Sequence, residues 1–223
     1  MMKKICAMIL SLCMLCSGVS VFAAKHTNQA DILADLGLFH GTDNGYDLDS
    51  SLTRAQSATM LVRLLGEEET ALASKESSRF ADVPDEHWAA PYVMYCFQSG
   101  ITKGTGEDTF SPEQDITAQE FVTLVLRLMG YEAEPETALD IAVDTELFGT
   151  QIQRELSGNP FLRDDMVYIC YRALKTLCKD GEALSEKLVD AGVITADDAK
   201  KHGVLHTGTA ADSIDEMIKD LFD

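Results

Sequence analysis

The heptapeptide Leu36-Gly37-Leu38-Phe39-His40-Gly41-Thr42 returns later in the chain as Ser99-Gly100-Ile101-Thr102-Lys103-Gly104-Thr105. The likeness extends outward from it. Tyr46 matches Phe110, and Leu52-Thr53 matches Ile116-Thr117. Arg63-Leu64 and Gly66 match Arg127-Leu128 and Gly130, with one residue inserted in the turn. A fainter third copy has Leu147-Phe148-Gly149-Thr150, followed by Arg163 and Arg172 at the same spacing as Arg54 and Arg63. Self-similarity of this kind marks a repeat architecture in which no unit buries its apolar face alone. The chain reads as three copies of one helix–loop–helix unit.

Local chemistry explains the second helix of each unit. Thr53-x-x-Gln56 and Thr117-x-x-Glu120 are capping boxes, in which the Thr hydroxyl accepts from a first-turn amide and the Gln or Glu reaches back. Loss of such a cap costs about 1 kcal/mol. Behind the second box, Phe121, Leu124, Val125, Leu128 and Met129 fall on one helical stripe. Gly66 and Gly130 stand where C-terminal caps belong. The third copy has Leu162 in place of the capping Thr, which weakens its start. A first helix is expected over Glu86–Ser99, and the stretches Glu67–Arg79 and Glu132–Thr137 read as linkers. No strand-like alternation persists, so the expected fold is all-α. The expected organisation is repeat 1 over 25–66, repeat 2 over 80–131, a degenerate repeat 3 over 138–180, and a helical tail over 181–223.

The flanks add their own signals. Lys3 and Lys4 precede an apolar run from Ile5 to Leu15, and the segment closes on Val21-Phe22-Ala23. That run is too short for a bilayer-spanning helix, and residues 1–24 read as a secretory signal peptide. The whole chain has 18 Lys+Arg against 37 Asp+Glu, a net charge of −19. Removing the leader takes it to −21. Such acidity argues against nucleic-acid binding, which needs a basic patch. Cleavage also leaves Cys96, Cys170 and Cys178. An odd count forms no closed disulfide framework, and buried thiols are the expectation. In the tail, Leu184–Lys201 suggests a helix pair around Gly192. Beyond it Ser213-x-x-Glu216 caps an amphipathic helix carrying Ile214, Met217, Ile218, Leu221 and Phe222, a face for the repeats or for another surface protein.

Other constellations are poor. The acidic run Asp43–Asp49 lacks the residue order of a calcium loop. His202 and His206 flank Gly203, an unfavourable basis for a helical metal face. No nucleophile elbow, P-loop or dinucleotide fingerprint occurs, and no carboxylate pair stands out. The sequence points away from an enzyme, and no cofactor or metal is expected.

Phe80-Ala81-Asp82-Val83-Pro84, then Trp88-Ala89, Gly100-Ile101-x-x-Gly104, Thr109-Phe110-Ser111-Pro112 and Ile116-Thr117 form an ordered succession. It resembles the S-layer homology module, with the likeness covering roughly residues 28–178. Unit 1 lacks the Phe-x-Asp-Val-Pro opening, and unit 3 is degenerate. The resemblance implies a compact pseudo-threefold bundle of three repeats. It further implies noncovalent attachment to cell-wall polysaccharide, commonly a pyruvylated secondary polymer, in grooves between repeats at the surface of a Gram-positive-type bacterium.

Carried over residue by residue, the implied carbohydrate-binding positions are Arg54 in unit 1 and Arg163 in unit 3, Trp88, and the turn glycines Gly37, Gly41, Gly100 and Gly104. Ala118 replaces the expected arginine in unit 2. An arginine just inside a helix start adds a planar fork to the positive end of the macrodipole, a natural carboxylate site. Its alternative is a solvated first-turn charge. Trp88 suits the apolar face of a sugar ring, and its alternative is core packing. Arg63, Arg127 and Arg172 read as structural, pairing with acids of a neighbouring unit. The competing functional reading is a helical protein–protein module whose repeats have lost the sugar site.

Overall fold

The computed structural model describes residues 24–43 and 45–206. The leader, apart from Ala24, and the tail helix expected around Ser213–Phe222 lie outside the described residues. Within them the chain is helical, with isolated bridges and no strand. The ten helices are α1 (Thr27–Asp35), α2 (Arg54–Leu64), α3 (Glu68–Ala73), α4 (Ala90–Gln98), α5 (Ala118–Leu128), α6 (Ala138–Asp144), α7 (Thr150–Gly158), α8 (Arg163–Lys175), α9 (Leu184–Asp190) and α10 (Ala196–Lys201).

The second helices of the three units, α2, α5 and α8, form the centre. Their residues are buried almost all round, far beyond one stripe. A helix apolar on most sides belongs inside a packed body. Both capping boxes form as the sequence predicts. Thr53 Oγ1 accepts from Gln56 N at 3.3 Å, and Thr117 Oγ1 accepts from Glu120 N at 3.3 Å. Leu162 contributes no side-chain cap to α8. Instead Asp165 supplies the return half of the motif, accepting from Leu162 N at 2.9 Å.

The first helices close the body in a cycle. Helix α4 of unit 2 packs on α2 of unit 1, α6 of unit 3 packs on α5 of unit 2, and α1 of unit 1 packs on α8 of unit 3. Each unit therefore completes its neighbour, and the last completes the first. Backbone bonds reinforce two of the joints in parallel fashion. Arg54 N and Ala55 N donate to Gln114 O and Pro112 O, while Arg163 N and Asp164 N donate to Ser50 O and Leu48 O. Helix α9 packs on α8 and on α10, so the short helix pair expected past Leu184 is present.

Three details depart from the sequence expectation. Helix α4 begins at Ala90, not near Glu86, because Pro91 lacks an N–H and fits only the first turn. The stretch 67–79 is not all linker, since α3 packs against α2 and α4 with Ala71 buried. Helix α7 is an extra element in unit 3, spaced between its first and second helices.

The arginines at the far ends of the central helices are structural, but they pair within their own unit or the segment that follows it. Arg63 donates to Glu68, Arg127 to Ala133 O and Glu134, and Arg172 to Leu147 O and Glu146 O. The three described cysteines are free and buried. Burial pushes the Cys96 thiol up to about 12 and the Cys178 thiol up to about 11.

Candidate functional site

The joint between units 3 and 1 opens into a groove of about 270 Å³. One wall is the glycine turn of unit 1, Phe39, His40, Gly41 and Thr42. Helix α2 contributes Gln56, Thr59, Met60 and Arg63, and α8 contributes Arg163 and Met166. Unit 2 reaches over with Trp88 and Tyr92, and Leu72 of α3 completes the rim. All three units and the inserted α3 thus meet at one place.

Trp88 is 54% exposed, so the core-packing alternative fails for it. Its ring stacks on His87, with centroids 5.8 Å apart. His87 Nδ1 accepts from Ala89 N at 3.1 Å, which fixes the imidazole beneath the indole. Leu72, at 56% exposed, is the other large apolar side chain open to water on this rim. An exposed indole beside an exposed aliphatic chain offers an apolar platform with polar neighbours, the usual makeup of a binding surface.

Arg163 is buried to 9% exposure, and its Nε donates to Tyr46 O at 3.1 Å. The guanidinium lies 5.7 Å from the centroid of the Phe39 ring. No carboxylate lies within ion-pairing distance of it among the described residues. Burial pulls its pKa below the usual arginine value, and only the charge of Asp47 acts in the other direction. Arg63 also lines the groove, held by Glu68, whose carboxylate also accepts from Tyr92 Oη at 2.7 Å. Those bonds from Arg63 and Tyr92 outweigh burial and keep the Glu68 carboxyl below its ordinary range. The groove lining itself contains no Asp or Glu.

Arg54 occupies the matching place at the joint between units 1 and 2, but its fate differs. It is 4% exposed, so neither it nor Arg163 is a solvated first-turn charge. Its Nε donates to Phe110 O at 2.8 Å, its plane lies 5.0 Å from the Phe110 centroid, and its Nη1 pairs with Glu120 Oε1 at 3.0 Å. Burial lowers its pKa, and the pairing with Glu120 offsets that only in part. This guanidinium is already satisfied by the protein.

The turn glycines divide in the same way. Gly37 and Gly100 adopt left-handed φ of 74° and 72° to end α1 and α4, and they lie outside the groove lining. Gly41 lines the groove, and a Cβ there would meet Gly45 O at 2.6 Å. Gly104 is equally tight, its added Cβ meeting Thr109 O at 2.6 Å in the turn of unit 2. Of the positions named from sequence, the structure therefore brings Arg163, Trp88 and Gly41 together and leaves Arg54, Gly37, Gly100 and Gly104 outside that lining. It adds Gln56, which the sequence marks only as a cap. The signal for it was present in the difference between Gln56 and Glu120 at equivalent positions.

The histidines near the C-terminal end do other work. His202 Nε2 lies 3.5 Å from Asp35, and His206 Nδ1 lies 2.9 Å from Lys175 O. The acidic turn is held by side-chain bonds, Ser50 Oγ donating to Asp47 and Tyr46 Oη donating to Asp31 of α1.

Residues 79–122 match the model of the S-layer homology domain family. A "Middle cell wall protein" of Brevibacillus brevis is 38% identical over 146 residues, 64% of this chain and 14% of that relative. A "Cell surface protein" of Thermoanaerobacter kivui is 29% identical over 145 residues, 59% of this chain and 19% of the relative. A "Surface layer protein" of Brevibacillus choshinensis is 36% identical over 101 residues, 45% of this chain and 9% of the relative. The chain thus matches less than a fifth of the length of each of these relatives. No helix among the described residues is long and apolar enough to cross a membrane.

Proposed function

We propose, from the S-layer homology domain that this chain carries at residues 79–122, that the protein is a secreted, non-enzymatic surface protein held noncovalently to the bacterial cell wall. Its ligand is an acidic secondary wall polysaccharide, pyruvylated or otherwise carboxylate-bearing, gripped in the groove between units 3 and 1. One observation carries this reading. In a chain of net charge −19, the groove is lined by Arg163, which has no carboxylate within ion-pairing distance among the described residues, and by no acid of its own, with an exposed indole on its rim.

The division of labour follows from the side chains. Arg163 presents a planar fork to a ligand carboxylate in a part-buried place, where a charged hydrogen bond is worth more than in open water. The Trp88 face takes the C–H face of a sugar ring. Gly41 lets the turn backbone approach without a side chain in the way. The names and lengths of the relatives fit an anchoring role and leave the rest of this protein's activity to experiment.

Sedimentation of the purified chain with wall sacculi is the test. Retention is expected on intact sacculi and loss on sacculi stripped of secondary polymer. Equal retention on both sinks the carbohydrate reading. The exposed Leu72 beside Trp88 supports a second reading, a protein–protein module that docks an apolar segment on this rim. Arg163→Ala separates the two, because unchanged retention in that variant favours the apolar partner.

A further inference from the structure

Two joints of this fold carry the same arginine, and one residue accounts for the difference between them. Glu120 is the third residue of α5. Its Oε2 accepts from Thr117 N at 2.9 Å to close the cap, and its Oε1 accepts from Arg54 Nη1 at 3.0 Å. Two carboxylate oxygens thus perform two tasks, one within the unit and one for the arginine of the preceding unit. Gln56 is the third residue of α2, the equivalent position. Its Oε1 accepts from Thr53 N at 3.0 Å and so closes the cap equally well. What remains is an amide nitrogen, a donor, where Glu120 has its second acceptor. Gln56 lines the groove together with Arg163, the arginine of the unit that precedes unit 1 in the cycle.

Cap chemistry does not explain the choice, since Gln and Glu serve a capping box alike. The consequence falls on the neighbouring arginine. With Glu120 the guanidinium is neutralised from within; with Gln56 it is not. Arg163 bonds one backbone carbonyl and lies over one aromatic ring, and it keeps its charge for an incoming group.

We propose that Gln56 is the residue that makes this groove selective for a carboxylate-bearing sugar. It withholds the acceptor that would close Arg163 and presents its amide Nε2 as a second donor. This inference rests on the groove reading given above and deepens it.

The test uses the full chain with ¹⁵N-labelled arginine, D-glucuronate as the sugar carboxylate probe and D-glucose as its neutral control. In the unmodified protein the Arg163 Nε–Hε resonance is expected to move with glucuronate and not with glucose. Gln56→Glu is expected to lower glucuronate affinity by about tenfold or more, as an internal carboxylate competes for the same guanidinium. Gln56→Ala removes the amide without adding charge and is expected to keep affinity within about threefold, the scale of one weak neutral hydrogen bond. Thermal unfolding of both variants checks the fold, and Glu at this position already caps α5. Unchanged glucuronate affinity in Gln56→Glu overturns the inference. So does a loss in Gln56→Ala as large as in Gln56→Glu, which marks an effect of shape. An Arg163 resonance indifferent to glucuronate overturns it as well. Sacculus retention reads the wall-binding function separately. Retention that survives Gln56→Glu undiminished counts against the inference alone, whereas absent retention with an intact glucuronate response counts against the wall reading alone.

Discussion

The helix starts at Arg54 and Arg163 are built on one plan and put to different ends. In each, the arginine Nε donates to a carbonyl of the next unit's loop, the guanidinium lies near an aromatic ring, and the first two amides donate to that loop. At Arg54 the circuit is completed by Glu120, and the joint is a structural clasp. At Arg163 it stops short, and Trp88, Gly41 and Gln56 surround what is left open. The same repeat can thus close a joint around its arginine or leave that arginine beside an open groove, depending on one carboxylate oxygen. Each joint predicts a different response to mutation.

The largest stability effect should come from the closed joint. Glu120→Ala removes a cap and strands the Arg54 charge inside the protein. Losing one partner of a buried pair costs about 3–5 kcal/mol, and Glu120 is partly exposed, so a cost of about 3 kcal/mol is expected. Gln56→Ala, at the matching position of the open joint, should cost only the cap, about 1 kcal/mol. Urea midpoints of the two variants measure the difference directly. Similar costs for both would erase the distinction between the joints.

Binding should show the reverse order. Arg163→Ala is expected to reduce sacculus retention by about tenfold or more, the value of a charged hydrogen-bonded contact. Its stability cost should be about 1 kcal/mol, from the lost bond to Tyr46 O. Arg54→Ala should destabilise the chain while leaving the groove's glucuronate affinity in the surviving folded fraction unchanged. An Arg54→Ala variant that folds well but loses the ligand would transfer the site to the other joint.

A third difference lies behind the open joint. Asp164, next to Arg163, accepts from Lys25 N at 3.1 Å and from His26 N and His26 Nδ1, both at 2.9 Å, tying the start of α1 to α8. Burial alone would raise its pKa, but the bonds from His26 and Lys25 hold the carboxyl below its ordinary 3.8. A depressed folded pKa gives stability that is present above the unfolded value and lost as pH falls through the folded one. As pH falls below about 4, Asp164→Asn should therefore flatten part of the acid limb of stability. An acid limb identical to that of the parent would show that this tie contributes nothing.

These contrasts also mark how far the sequence could be read. The repeats, the two capping boxes and the central helices followed from residue types at fixed spacings, because a cap or an apolar stripe is a local contract between neighbours. The helical content followed for the same reason. Helix α3 was hidden, since Glu68–Ala73 shows one buried residue and no stripe. The cyclic packing of α1, α4 and α6 on other units' helices is a tertiary fact that no spacing records. Among the residues that line the groove, Trp88, Arg163 and Gly41 had been singled out by type. The inequality of Arg54 and Arg163 was not, because it depends on residues in another unit, Glu120 and Gln56, whose local role as caps is the same.

The smallest effect concerns the body around the groove. On the function proposed above, the processed chain of charge −21 is repelled at long range by an anionic polymer, while Arg163 attracts at contact. The Debye length falls from about 30 Å at 0.01 M to about 10 Å at 0.1 M ionic strength. Salt over that interval removes much of the repulsion between the acidic surface and the wall, yet screens the part-buried Arg163 contact far less. Sacculus retention should therefore rise a few-fold from the lowest ionic strength to about 0.1 M and decline only beyond it. Divalent cations should reach the same maximum at lower concentration by bridging carboxylates on the two surfaces. Retention that falls steadily from the lowest salt would mean that positive charge dominates the whole approach. The difference between an open groove and an acidic body would then matter less than the groove's lining suggests.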